Sequence, residues 1–340
     1  MNKSSSCPHI INFDFAGRFL PPVYILVFVV GFSANVIGLK TLLHNWTKLK
    51  IINIFVLNLG LADILYLLTL PFLVVYYFKG SRWIFGDVFC KVTRFCFNIN
   101  LYGSIGFLTC ISVSRYLAIV HPIRVIGRIT VTHSVVVSAI VWVLVIVQSL
   151  PDMFFPKTYR KGAEKCFDTT SKDFVEDYLK YSVGWTLTGF CLPFLVTVGC
   201  YTHVVVKLCG SANTDRQLKR RSLRLLLVLM LLFSVCYIPY HVLRSLNLCS
   251  RVLSKRKQCH SWSHSVYVAH QVSRGLVCLN SALNPLVYLH VSEQLSSGLR
   301  ALMGRTRRVL HSHKMSSVAA STPLQAPALC DAPGHVTDQM

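Results

Sequence analysis

The sequence predicts an all-α membrane protein: a seven-transmembrane helix bundle with a short amphipathic eighth helix and a disordered C-terminal tail. Hydrophobic residues fill 53% of its 340 positions and charged residues only 14%, and the mean hydropathy is +0.51, values that separate it from soluble domains. Seven stretches reach the roughly 20 mostly apolar residues needed to cross a bilayer. Beyond residue 304 the composition turns to Ser, Ala and Pro, which bury too little apolar surface to fold. The same numbers exclude a disordered chain as a whole. With 13 cysteines the chain is also too poor in cysteine for a small disulfide scaffold.

The first stretch, Leu20–Leu43, is too long for a signal-peptide core and lacks a small-residue cleavage site, so it is expected to act as its own insertion signal. Ile51–Phe78 carries Asp63 at its middle and Pro71 beyond it. Cys90–Val120 holds Arg94 and Arg115, 21 positions apart and therefore about 32 Å along a helix, one near each membrane face. Val131–Leu150 is the fourth stretch, and Tyr178–Leu208, with Pro193, the fifth. Leu225–Leu243 contains Pro239 and is bracketed by Arg224 and Arg244; Val266–His290 contains Arg274 and Pro285. Lipid offers backbone groups no partners, so each stretch should be a helix, with its prolines at kinks packed against neighbours.

Seven spans put the termini on opposite sides. Lys and Arg are divided almost evenly between the two faces. Orientation therefore rests on the near absence of acids beside one set of loops and on the cluster Lys219, Arg220, Arg221 and Arg224 abutting a helix, which reads as cytoplasmic. The N-terminus is then outside, and Cys7, Cys90, Cys166 and Cys259 face an oxidising compartment. The net charge of +22 is explained by the lipid bilayer, with no nucleic acid as a partner.

An intramembrane charge is costly and so marks function. His241 and Arg244 are three apart on the sixth span. Tyr267, His270, Gln271 and Arg274 fall at i, i+3, i+4 and i+7 on the seventh, so each set shares a helical face. If these faces meet Arg94, three guanidiniums form a donor array suited to phosphate oxygens. The plainer reading is that the arginines snorkel to the headgroups or pair with loop carboxylates such as Asp168. Asp63 needs a cation or a polar cluster with Asn35 and Asn284, or serves a proton relay. Cysteines within the spans read as small core residues. No phosphate-cradling loop, nucleophile elbow or zinc-binding helix motif is present, so the chain does not read as an enzyme. Asn2-Lys3-Ser4 fits a glycosylation acceptor.

From Leu20 to near Met303 the chain resembles the rhodopsin-type G-protein-coupled receptors, through Leu61-Ala62-Asp63 with Pro71, Ser114-Arg115-Tyr116, Trp142, Cys236-Tyr237-Ile238-Pro239 and Asn284-Pro285-Leu286-Val287-Tyr288. Serine at 114 replaces that family's acid, and tyrosine at 237 its tryptophan. The resemblance implies a Cys90–Cys166 disulfide and a sodium site at Asp63, with sodium as an allosteric modulator. It also implies activation through Asn35, Arg115, Tyr237, Pro239, Asn284, Pro285 and Tyr288. The expected division is an extracellular N-terminus over 1–19, a receptor domain over 20–290, the eighth helix over 291–303 and a cytoplasmic tail over 304–340.

A narrower resemblance is to the metabotropic purinoceptors, adenine-nucleotide branch, through Leu101-Tyr102-Gly103-Ser104, Phe167-Asp168-Thr169-Thr170, Tyr240-His241-Val242-Leu243-Arg244 and His270-Gln271-Val272-Ser273-Arg274-Gly275-Leu276. It implies a ligand set of Arg94, Asn98, Tyr102, Asp168, His241, Arg244, Asn247, Tyr267, His270, Gln271 and Arg274, with Asp168 pairing with Arg274 at rest. It further implies a Cys7–Cys259 bridge, with Cys249 as a rival partner. That branch most often has lysine at Arg244, histidine at Asn98 and tyrosine at His270. The implied function is a cell-surface receptor for extracellular ADP or ATP that acts through the heterotrimeric G protein Gq on phospholipase C and raises cytosolic calcium. Ser316, Ser317, Ser321 and Thr322 read equally as solvating residues or as targets of receptor kinases that recruit arrestin. Rival readings are a receptor for a lysophospholipid, a uracil nucleotide or an acidic peptide, and, from another class, an anion transporter or channel. Internal repeats, expected of a transporter, are absent.

Overall fold

The computed structural model describes residues 14–44, 51–122, 128–159, 165–210, 216–258 and 260–285. Its helices are α1 (Asp14–His44), α2 (Ile51–Leu67), α3 (Leu70–Phe78), α4 (Gly86–Val120), α5 (Val131–Ser149), α6 (Val175–Thr186), α7 (Leu192–Gly210), α8 (Arg216–Leu232), α9 (Ile238–Lys255) and α10 (Trp262–Leu283). A 3₁₀ turn (Leu150–Met153) closes α5, and a two-stranded hairpin, β1 (Thr158–Tyr159) with β2 (Lys165–Cys166), follows it. The strands pair antiparallel, Thr158 against Cys166 and Tyr159 against Lys165. Taken as continuous rods, α2–α3, α6–α7 and α8–α9 are the second, fifth and sixth spans. Among the described residues six rods are long and apolar enough to cross a membrane. The seventh, α10, has the length, but its inward face of His270, Gln271, Arg274 and Asn280 lowers its hydropathy.

Proline positions explain where the rods deviate. Pro71 sits in the first turn of α3; having no N–H and a ring that crowds the preceding turn, it breaks the rod at Leu68 and Thr69. Thr69 repairs part of the loss by donating its hydroxyl to the Tyr66 carbonyl at 2.7 Å. Ahead of Pro193 and Pro239 the helix widens into π turns, Leu187–Cys191 and Phe233–Tyr237, which absorb the missing hydrogen bond without breaking the rod.

α4 is the central rod, with Leu101, Ile105, Leu108 and Ile111 fully buried. It packs on α2, α5 and α7, while α10 packs on α1 and α9. Large apolar residues such as Val29, Val143, Leu144 and Leu195 face outward, and Asn35, Asp63, Asn100 and Asn284 are buried. Lipid tails are as apolar as leucine, so the rods are held by close packing and interior polar contacts more than by hydrophobic burial. Gly31 is one such close approach: a Cβ there would lie 3.3 Å from the Leu67 side chain and 3.4 Å from the Ala282 backbone. Gly31→Val is therefore expected to destabilise the bundle by about 1–3 kcal/mol, measured as a lowered thermal midpoint of the solubilised protein. An unchanged midpoint would mean that the α1–α10 contact is loose.

Boundaries differ from the hydropathy reading in two informative places. α1 is already helical at Asp14, ahead of the apolar run that starts at Leu20. The sixth rod continues to Lys255, so Arg244 does not end the span but is buried within it. Asn2, Cys7, Cys259, Tyr288, the eighth helix over 291–303 and the tail from 304 lie outside the described residues.

Candidate functional site

At the hairpin end of the bundle four pieces converge. α4 contributes Arg94, Asn98 and Tyr102 at successive four-residue steps, hence on one face. α9 contributes Tyr240, His241, Arg244 and Asn247, and α10 contributes His270, Gln271 and Arg274. All of these are buried. The segment after β2, Phe167 to Thr170, lies over them because the Cys90–Cys166 disulfide ties β2 to the first turns of α4.

The three arginines are 4%, 4% and 5% exposed for Arg94, Arg244 and Arg274, which rules out snorkelling to the headgroups. Two of them share one carboxylate: Asp168 Oδ1 lies 3.4 Å from Arg94 Nη1 and 3.2 Å from Arg274 Nη2. Arg94 Nη2 also donates to the Cys166 carbonyl at 3.1 Å. Arg274 donates to Gln271 Oε1 at 2.8 Å and to the Tyr24 hydroxyl at 3.3 Å. Arg244 is held differently, donating to the hydroxyls of Tyr178 at 2.7 Å and Tyr240 at 3.1 Å, with both rings near its guanidinium. Neutral hydroxyls cannot cancel its charge, so Arg244 retains a strong field in a dry environment.

Around this core His241 contacts the Thr186 hydroxyl at 3.3 Å and stacks on Phe190 at 4.4 Å. His270 stacks on Tyr240, and neither of its ring nitrogens has a hydrogen-bond partner. The Tyr102 ring lies 6.0 Å from that of His241. Asn247 is buried one turn beyond Arg244, and Tyr267 is half-buried one turn beyond His270 and Gln271. Asn98 turns aside from the arginines and donates to Asp152 Oδ2 at 3.0 Å. Such a cluster of converging donors with orphaned ring nitrogens has the chemistry to bond an anion bearing several acceptor oxygens.

Burial opposes ionisation of Asp168, but the guanidiniums of Arg274 and Arg94 overcome it and hold its carboxyl well below the usual carboxylate range. A carboxyl depressed in the folded state contributes stability that is fully present above its unfolded value of about 3.9 and is lost only as pH falls through the folded value. Asp168→Asn is therefore expected to lower the thermal midpoint equally at pH 5 and pH 8. A difference that changes between those two pH values would place the titration elsewhere and break the bridged arrangement.

A second polar cluster lies deeper. Asp63 accepts from Asn100 at 2.7 Å and from Asn284 at 3.0 and 2.9 Å. Asn35 donates to the carbonyls of Gly31 and Ser281, tying α1 to α10, and the Ser281 hydroxyl in turn donates to Asn100 Oδ1 at 3.1 Å, which links Asn35 to the carboxylate's cluster. Tyr237 accepts from Asn280 at 2.6 Å. Ser104 Oγ, Asn280 Oδ1 and Asn284 Oδ1 are buried without a hydrogen-bond partner. Held by two neutral amides, the Asp63 carboxyl oxygens would be the ligands of a hard monovalent cation at this place. Toward the opposite end Arg115 is half-buried, and the Tyr116 hydroxyl sits between His121 and His203 at 3.4 and 3.3 Å.

The sequence reading assigns no role to Asp152, Lys157, Tyr178, Tyr24, Arg251 or Asn100, and Tyr240 enters it only inside a motif string. Asn100 carried a signal, as an amide in the middle of an apolar run. Lys157 and Asp152 lie in the connection after the fourth span and belong to no motif, yet they form a buried ion pair at 2.7 Å. Burial pushes the Lys157 ammonium down to about 8 against the pull of Asp152. Arg251 donates to the Thr169 hydroxyl and, at 2.6 Å, to the Thr170 carbonyl, pinning the segment that carries Asp168.

Comparison with known proteins agrees with this architecture. Residues 34–288 match the model of the 7 transmembrane receptor (rhodopsin family). The chain is 40% identical to purinoceptor 1 of Meleagris gallopavo over 310 residues, covering 90% of this chain and 85% of that one. Against purinoceptor 1 of Homo sapiens it is 39% identical over 293 residues, 85% and 79% of the two chains. Against 2-oxoglutarate receptor 1 of Rattus norvegicus it is 39% identical over 280 residues, 82% of each.

Proposed function

Because the chain belongs to the rhodopsin family of seven-transmembrane receptors, as a purinoceptor-like, multi-pass plasma-membrane receptor rather than an enzyme, we propose that its ligand is an extracellular adenine nucleotide, ADP or ATP. The observation that carries this reading is the buried set of Arg94, Arg244 and Arg274, with Asp168 shared between two of them. Phosphate oxygens replace the Asp168 carboxylate between Arg94 and Arg274, and a further phosphate engages Arg244. In this reading the hairpin end and the N-terminus are extracellular. The ligand set is Arg94, Asn98, Tyr102, Asp168, His241, Arg244, Asn247, Tyr267, His270, Gln271 and Arg274.

Neutralising three cations on three rods draws α9 and α10 together at the outside. The π turn before Pro239 is a weak point in the sixth rod, so its basic inner end swings away from Arg115 and opens a groove for a G protein. By family analogy that protein is Gq, with phospholipase C and calcium downstream, and arrestin and receptor kinases act on the tail. Sodium at Asp63 would supply a charge that steadies the resting cluster. The shift requires tighter nucleotide binding in the active arrangement, since equal affinity for both moves nothing.

A second reading is favoured by the equally covered similarity to a 2-oxoglutarate receptor: guanidiniums pair with carboxylates as readily as with phosphates. Cytosolic calcium in cells expressing the chain, with a promiscuous G protein supplied, separates the two. A saturable response to ADP or ATP supports the nucleotide. A response to 2-oxoglutarate alone replaces it with a dicarboxylate, and silence to both, with surface expression confirmed, rejects both ligands.

A further inference from the structure

Lys157 and Asp152 are 0% and 1% exposed and belong to the arginine cluster rather than to the hairpin surface. Asp152 lies in the 3₁₀ turn that closes α5; its Oδ1 accepts the Lys157 ammonium at 2.7 Å and its Oδ2 the Asn98 amide at 3.0 Å. Asn98 is one turn from Arg94 on α4. The ammonium also donates to the Thr169 carbonyl, next to Asp168, and sits 4.8 Å from the centre of the Tyr178 ring, whose hydroxyl accepts Arg244. The Lys157 carbonyl takes the Phe167 N–H, which fixes the lysine to the segment covering the site.

An ammonium with two acceptors and an aromatic face has its bonding capacity filled. It is therefore held out of ligand contact by its carboxylate, although it lies among the residues that hold Arg94 and Arg244. Burying such a pair gains little stability over apolar side chains, so stability alone does not account for it. A carboxylate at this place has a second consequence: it subtracts one negative charge from what the cluster accepts.

We infer that Asp152 is a specificity-determining residue, which withholds the Lys157 ammonium from the ligand and thereby sets how many negative charges the site takes. This rests on the reading above that the ligand is a polyanion held by Arg94, Arg244 and Arg274. Without Asp152, Lys157 becomes a further cation beside Arg244 and favours the more highly charged ligand. Without Lys157, Asp152 is an uncompensated anion in the site and disfavours it. Without both, the balance returns.

The test uses the full-length receptor in lipid nanodiscs, with affinity read from ligand-dependent thermal shifts for AMP, ADP and ATP and for the carboxylates pyruvate and 2-oxoglutarate. The variants are Asp152→Asn, Lys157→Met and the double variant. The preference for ATP over AMP is expected to rise about tenfold or more in Asp152→Asn, fall in Lys157→Met and return near the wild-type value in the double variant. Should Lys157→Met fail to fold, Asp152→Asn and the double variant still decide the sign. A uniform loss for every ligand, with no ordering by charge, overturns the inference and reduces the pair to a structural tie. If the wild type binds 2-oxoglutarate but no nucleotide, the nucleotide reading falls alone, and the same ordering, read between 2-oxoglutarate and pyruvate, supports or overturns the inference. Binding of none of the five by the wild type overturns both.

Discussion

Arg274→Ala is expected to weaken the nucleotide response by roughly thirty- to several thousand-fold at matched surface expression, the effect of truncating one partner of a buried charge pair, about 2–5 kcal/mol. Arg274 is the link between the rod α10 and the covering segment, through Asp168 at 3.2 Å, and between α10 and α1, through the Tyr24 hydroxyl. Its loss removes a ligand contact and also leaves Asp168 with Arg94 as its remaining ion-pair partner among the described residues. Arg274→Lys keeps the charge but not the planar fork, and should fall between the two. Dose–response curves for ADP and ATP in calcium flux give the measurement. Wild-type potency in the alanine variant would remove Arg274 from the ligand and with it the guanidinium array as the recognition element.

Cys166→Ser is expected to cause the largest loss of stability. The bond closes a sequence separation of 76 residues, which the chain-entropy argument values at about 4.5 kcal/mol. The consequence reaches the site, because β2 leads directly into Phe167, Asp168, Thr169 and Thr170, and the Cys166 carbonyl itself accepts Arg94. Reduced surface expression, a lowered thermal midpoint and loss of agonist potency should appear together. If the midpoint falls while potency survives in the protein that reaches the surface, then Arg251 and Lys157, which grip the same segment, suffice to place Asp168.

The purinoceptor resemblance and the polar faces of the sixth and seventh spans single out Arg94, Arg244 and Arg274 from the sequence itself. Spacing of three and four residues fixes which side chains share a helical face regardless of what the helix packs against. Partners were another matter. Asn284 meets Asp63 as the polar-cluster reading has it, Asn35 reaches that cluster through Ser281, and Asn100, which that reading leaves out, supplies a further contact. The apolar run Leu225–Leu243 leaves Arg244 at a span boundary, yet α9 runs on to Lys255, its polar residues sheltered by α6, α10 and the covering segment. Hydropathy averages over a window and registers what a residue is, not which neighbours it faces.

What the sequence by itself determined is thus the part governed by local chemistry. Long apolar runs must become helices in lipid because their backbone groups have no other partner, prolines must disturb those helices, and charges left inside them must mark the interior. The resemblance already implied Asp168 on Arg274; tertiary structure added the rest of the pairing, with Arg94 sharing that carboxylate, Arg244 among tyrosines and Lys157 sealed against Asp152. Residues 74 and 106 positions apart, as Asp168 is from those two arginines, meet only through the packing of the rods and the fold of the covering segment. In a low-dielectric interior that meeting sets both the charge each group retains and what it can bind.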